Sequence, residues 1–142
     1  MRQVFADTLY WVAVTHRKDQ WHQAAINISR TLGGCQLVTT DDVLSEVLTA
    51  FCAAGPALRQ RAATLIRTLH QRPTVVVYRQ SRQTFLTGLA LYETRSDKEY
   101  SLTDCISMEI MRQNRISEVL NRISEVLTHD HHFTQEGFTA LL

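Results

Sequence analysis

Five short runs of apolar, mostly β-branched residues recur along this chain, at 3–6, 35–40, 74–78, 123–128 and 138–142, and helical patterns separate them. The helical segments cover 19–32, closed by Gly33-Gly34; 42–54, closed by Gly55-Pro56; 57–70, stopped by Pro73; and then 81–94 and 103–113. A buried strand that feeds a helix returns to its sheet by a right-handed crossover, so this alternation predicts a mostly parallel sheet covered on both faces. The expected architecture is a three-layer α/β/α sandwich. At 142 residues and 44% hydrophobic, the chain has the length of one domain, taken here as 1–142, and enough apolar material for a core. Only five Gly and two Pro occur, which excludes disordered and collagen-like classes, and no run of about 18 apolar residues suggests a membrane span.

In open parallel sheets, ligands gather beyond the carboxyl ends of the strands. Asp7 closes the first strand, Glu46 lies one turn into the helix after the second, Asp104 sits near a helix start, and Asp130 follows a later strand. These four acids are positioned to converge. Carboxylates at close range raise one another's pKa, and a divalent cation relieves the repulsion. Hard oxygen ligands favour Mg²⁺ or Mn²⁺, which can activate a water and neutralise charge on a phosphodiester. Acids at helix starts also cap free amides, and Asp42 is assigned that role. Near Asp104, Ser101 or Thr103 can cap instead and leave the acid free. Glu46 interrupts an apolar stretch, so it is either paired or functional.

The net charge of +1 is unevenly spread. Residues 47–92 contain no Asp or Glu but six arginines, Arg59, Arg61, Arg67, Arg72, Arg79 and Arg82, which leaves about −5 for the rest. Such polarity suits a protein that binds metal at one place and phosphate at another. Cys35, Cys52 and Cys105 sit singly in apolar segments and are read as buried thiols of a reducing compartment. Asp7 interrupts the N-terminus where an export signal would be building its apolar stretch, so the expected location is the cytoplasm.

One internal repeat is present: the heptapeptide Asn-Arg-Ile-Ser-Glu-Val-Leu occupies 114–120 and again 121–127. Seven residues turn an α-helix by about 20° less than two full turns, so a helix absorbs them with little change of buried face. A strand taking up an odd number would swap its faces. The first copy is therefore assigned to helix and the second to strand, with a domain swap between protomers as the alternative.

Four segments, in order along almost the whole chain, resemble the PIN-domain nucleases and most of all the VapC-type toxins. They are Phe5-Ala6-Asp7-Thr8-Leu9-Tyr10-Trp11, Thr39-Thr40-Asp41-Asp42-Val43-Leu44-Ser45-Glu46-Val47-Leu48, Asp97-Lys98-Glu99-Tyr100-Ser101-Leu102-Thr103-Asp104-Cys105, and Leu127-Thr128-His129-Asp130-His131-His132-Phe133. The resemblance implies a metal-dependent endoribonuclease whose acids correspond to Asp7, Glu46, Asp104 and Asp130, with Thr128 as a supporting hydroxyl and Mg²⁺ or Mn²⁺ as cofactor. It further implies an RNA substrate, a homodimer, and a separate antitoxin chain that holds the toxin inactive. The spacing departs from the family: Asp104 and Asp130 are 26 residues apart, and removing one heptad restores the expected 19. If the duplication misplaces Asp130, the chain becomes a catalytically silent binding module.

His129, His131 and His132 flank Asp130 and invite a zinc reading. Zinc needs convergent ligands at fixed spacing, so His131 and His132 are read as a solvated loop. Trp11, Trp21, Phe51, Phe85 and Tyr92 are assigned to the core or a dimer face rather than to base stacking. A phosphoacceptor signalling domain would also place acids at strand ends, but it needs a lysine after a late strand, and the chain has only Lys18 and Lys98.

Overall fold

The structure, a computed structural model, describes residues 1–113 and 123–142. Its elements run β1 (Gln3–Ala6), α1 (Thr8–Thr15), α2 (His22–Thr31), β2 (Gln36–Thr40), α3 (Asp41–Ala50), α4 (Pro56–Gln71), β3 (Val75–Tyr78), α5 (Arg82–Thr94), α6 (Leu102–Gln113), β4 (Glu125–Leu127), α7 (His131–Gln135) and β5 (Thr139–Ala140). The strands form one sheet in the order β3-β2-β1-β4-β5, and every neighbouring pair is parallel. The expected three-layer α/β/α sandwich is the fold observed. The chain steps outward from β1 through β2 to β3, then returns across the sheet to β4 on the other side of β1. Right-handed crossovers in opposite directions put α1 to α4 on one face and α5 and α6 on the other. The gap between β1 and β4 is thus the switch point of the topology, where such sheets open a crevice at their carboxyl edge.

The central strands are buried on both sides, as continuous apolar runs in parallel sheets should be: Val4, Phe5, Ala6, Val38, Val126 and Leu127 have no exposed surface. The end of β1 is braced further by Trp11 Nε1 and Thr39 Oγ1, which donate to the Ala6 carbonyl at 3.2 and 2.9 Å. On the far face, α5 and α6 pack closely because Gly88 has no side chain. A Cβ there would stand 2.5 Å from Ile106 Cγ1 and 3.1 Å from the Ile106 amide nitrogen. Behind them Glu136 accepts from Arg95 Nε and Arg112 Nη2, each at 2.6 Å, and fastens the C-terminal segment to both helices.

Several expectations need correction. Helix α1 was not anticipated; Tyr10, Trp11, Ala13 and Thr15 are buried on it, so it shows no amphipathic stripe. Helix α2 begins at His22 rather than at 19, because Asp19 Oδ1 accepts from the Trp21 amide in a turn ahead of it. Asp42 is not the cap of α3: Thr40 takes that position and its hydroxyl accepts from the Val43 amide at 3.0 Å. That helix ends at Ala50, and 51–54 form a turn. Of the cysteines only Cys105 is buried; Cys35 is half-buried and Cys52, in the turn after α3, is exposed. Trp11 and Phe51 join the core, whereas Phe85 and Tyr92 stand on the outer side of α5 with about half of their surface in solvent, so no core role applies to them. His131 and His132 open helix α7 rather than a loop. The assignment of 114–120 to helix lies outside the described residues, while the second copy does supply β4. No helix among the described residues is long and apolar enough to cross a membrane.

Candidate active site

Because β1, β2 and β4 are parallel, their carboxyl ends share one edge, and the residues that leave them are delivered there together. Asp7 follows β1 at the N-cap position of α1, yet its side chain makes no capping hydrogen bond. Thr128 follows β4, is fully buried, and donates its hydroxyl to Asp7 Oδ2 at 3.1 Å. The same Thr128 oxygen accepts from the Asp130 amide at 3.1 Å, so one hydroxyl ties the first and third residues after β4 to the acid after β1. Asp130 Oδ1 then accepts from the His132 amide at 3.0 Å and starts α7.

Glu46 sits half-buried on α3, on a helix whose Val43, Leu44 and Val47 are buried. Its Oε1 accepts from Thr8 Oγ1 at 3.1 Å, the residue next to Asp7. Asp104 lies in the first turn of α6 and takes part in a reciprocal capping arrangement: Ser101 Oγ accepts from the Asp104 amide, and Asp104 Oδ2 accepts from the Ser101 amide, both at 3.0 Å. Ser101 therefore caps, as expected, but it also holds one oxygen of the acid in place. Thr8 escaped the sequence reading, although its position directly after a strand-terminating acid was a usable signal.

The electrostatics show that these acids are neighbours. Burial above all, then the charges of Asp104 and Glu46, push Asp7 up to about 7, against the pull of the Thr8 amide and the Thr128 hydroxyl. Burial also raises Glu46, with Asp104 and Asp42 adding to it. Asp104 is raised chiefly by burial, then by Asp130, while the Ser101 amide and His132 act in the opposite sense. Among the described residues no lysine or arginine pairs with Asp7, Glu46 or Asp104. Three desolvated carboxylates with no cation of their own, and Asp130 beside Asp104, are an unfavourable arrangement that a hard divalent ion relieves, so the donor set fits Mg²⁺ or Mn²⁺.

Around this centre, Trp21 stacks on His129 with ring centroids 4.3 Å apart and planes 8° from parallel. Tyr100 meets His132 edge to face at 5.3 Å. Of the six arginines in the basic stretch, Arg79 and Arg82 follow β3 and stand at the same carboxyl edge as the acids, whereas Arg72 precedes β3 at the opposite edge. All six are exposed, and Arg59 Nη1 donates to the Cys52 carbonyl.

No protein-family model matches this sequence, and no curated protein matches it. A solved structure does: VapC20 of Mycobacterium tuberculosis, described as a sarcin–ricin loop cleaving toxin, aligns with a TM-score of 0.80 over 96% of each chain at 21% identity. The chain thus has the PIN-domain fold that it shares with VapC20.

Proposed function

We propose that the chain is a metal-dependent endoribonuclease that cleaves RNA by in-line attack of water on a phosphodiester, and that it acts as the toxin of a toxin–antitoxin pair in the cytoplasm. The observation that carries this reading is the convergence of Asp7, Glu46, Asp104 and Asp130 at the switch point of a parallel sheet, with Asp7 pushed up to about 7. The fold of VapC20, a toxin that cleaves the sarcin–ricin loop, supports it.

In this proposal the four carboxylates hold Mg²⁺ or Mn²⁺. When bound, the ion supplies charge neutralisation for the phosphodiester and lowers the pKa of a water. The chain's own part is positional. Thr128 fixes Asp7 through Oδ2. Thr8 and Ser101 hold one oxygen each of Glu46 and Asp104, so neither acid needs to reorganise when substrate arrives. Arg79 and Arg82 stand at the same edge, where they meet the RNA backbone on its way to the acids. The partners that belong to this reading are RNA, a cognate antitoxin and a second copy of the chain.

The test is cleavage of RNA that contains a structured loop of the sarcin–ricin kind, with Mg²⁺, with Mn²⁺ and with EDTA. Metal-dependent cleavage that Asp104→Asn abolishes is the expected result. Absence of cleavage by the intact chain in either ion would sink the reading and leave a binding module that keeps the fold alone.

A further inference from the structure

Two imidazoles and a carboxylate meet where α7 begins. His131 Nδ1 and His132 Nε2 stand 3.7 and 3.8 Å from the same atom, Asp130 Oδ1. One donor atom from each residue lies within 4.8 Å of the other two. These separations are too long for hydrogen bonds. Among the described residues neither imidazole makes one, and the buried Nδ1 of His132 has no partner at all. Donors that share one ion at about 2.0–2.2 Å lie roughly 3–3.5 Å apart, so each imidazole is within a few tenths of an ångström of that spacing from Asp130 Oδ1, and the two imidazoles, within 4.8 Å of each other, close the rest by rotation of His131.

The group is also partly preassembled. Only 15% of the His132 side chain is exposed, and the edge contact with Tyr100 fixes its ring. Asp130 is fixed by its bond from the His132 amide and by Thr128. His131 is 73% exposed, so it can swing the remaining distance at little cost. From the sequence a zinc reading failed for want of convergence; the structure supplies it.

We propose that Asp130, His131 and His132 form a binding site for a borderline transition-metal ion such as Zn²⁺, adjoining the carboxylate cluster and sharing Asp130 with it. Imidazole nitrogen selects zinc and its neighbours in the transition series, whereas an all-oxygen set suits Mg²⁺ or Mn²⁺. The chain therefore carries two metal preferences side by side, with Asp130 the residue they compete for. The site stands on its own donors, and only the competition for Asp130 rests on the nuclease reading.

The experiment titrates the untagged full-length chain, saturated with Mg²⁺, with Zn²⁺ by calorimetry and with Co²⁺ by visible absorption. It compares the chain with His131→Ala, His132→Gln and Asp7→Asn. One equivalent of zinc is expected in the intact chain and in Asp7→Asn, with affinity at least about tenfold weaker in each histidine variant. His131 is exposed, so its variant tests the site without a risk to folding. Equal titration in the intact chain and both histidine variants overturns the proposal, as does the absence of zinc binding. Loss in Asp7→Asn alone overturns it too, because the ion would then sit on the carboxylates. A chain that fails to cut RNA leaves this titration unaffected.

Discussion

Asp7 carries the largest electrostatic cost among the acids of the crevice, and its sign can be worked out. Its carboxyl is raised from 3.8 to about 7, first by burial and then by its acidic neighbours. Between about pH 4 and pH 7 the unfolded chain is already ionised at this position while the folded chain is not. Stability contributed by the neutral form is therefore complete below about pH 4, falls as pH rises through that window, and is gone above it. At about 1.4 kcal/mol per unit, the cost at pH 8 is roughly 4 kcal/mol. Asp7→Asn is expected to melt several degrees higher than the native chain at pH 8 without divalent ions, and to lose most of the downward slope between pH 4 and 7. Thermal melts across that range check it, and a variant that melts lower at pH 8 would contradict it. Mg²⁺ is expected to raise the melting temperature of the native chain at pH 8 and to leave the variant nearly unmoved. Asp7, Asp104 and Asp130 stand out in the sequence because each follows a strand or opens a helix, and Glu46 because it interrupts an apolar stretch. Their anchors are less legible: Thr8 holds Glu46 through a hydroxyl and Ser101 holds Asp104 through its backbone amide, and only the folded backbone determines where either donor points.

Strand and helix patterns were readable where burial leaves a contrast between faces, and they failed where it does not. The five strands and the five longer helices fall where periodicity and Gly or Pro stops put them, with ends trimmed by a few residues. Helix α1 lies under the others and shows no polar stripe to reveal its period. Helix α7 has five residues, fewer than two turns, too few to establish a period. The α5–α6 pair illustrates a further limit. Nothing in the pattern marks Gly88 as different from a surface glycine, yet a Cβ there would meet Ile106 at 2.5 Å, with the backbone of the same residue close behind. Part of that clash is with backbone, which side-chain rotation cannot relieve. Gly88→Ala should therefore destabilise the fold by about 1–3 kcal/mol, although alanine is the better helix former. Chemical denaturation measures this, and a neutral or stabilising result would show that the helices separate freely. Because Asp104 is in the first turn of α6, a shift of that helix would also be read as a loss of cleavage.

Charge and chain connectivity bear on the fold as a unit. The basic stretch looked uniform in sequence, but parallel strands sort it by edge: Arg79 and Arg82 stand with the acids, and Arg72 does not. Alanine at Arg79 and Arg82 together is expected to weaken RNA binding and to reduce the slope of log affinity against log salt by about 1 to 2, while Arg72→Ala leaves both unchanged. Equal effects from the two sets would mean that the charge acts only as a diffuse field.

The repeated heptad can be judged from the residues that bracket it. The Ile123 amide donates to the Met111 carbonyl at 3.0 Å, and both side chains are buried. In the full chain these residues are twelve apart. Without 114–120 they would be five apart, and an amide-to-carbonyl bond across five residues, with an apolar contact between its ends, is the Schellman closure of a helix. In that motif the last helical residue lies two after the acceptor, which is where α6 ends, at Gln113. Deletion of 114–120 should therefore preserve the pairing of β4 with β1, at Phe5 with Val126 and Ala6 with Leu127, and keep Thr128 and Asp130 at the crevice. The shortened chain is expected to melt at the same temperature or slightly higher, by up to about 1 kcal/mol of stability. Its cleavage rate and its mass by light scattering should match those of the full chain. A dimer that becomes a monomer on deletion would establish the domain swap instead. Intact folding with lost cleavage would mean that β4 had slipped by an odd register and turned Asp130 away from the acids.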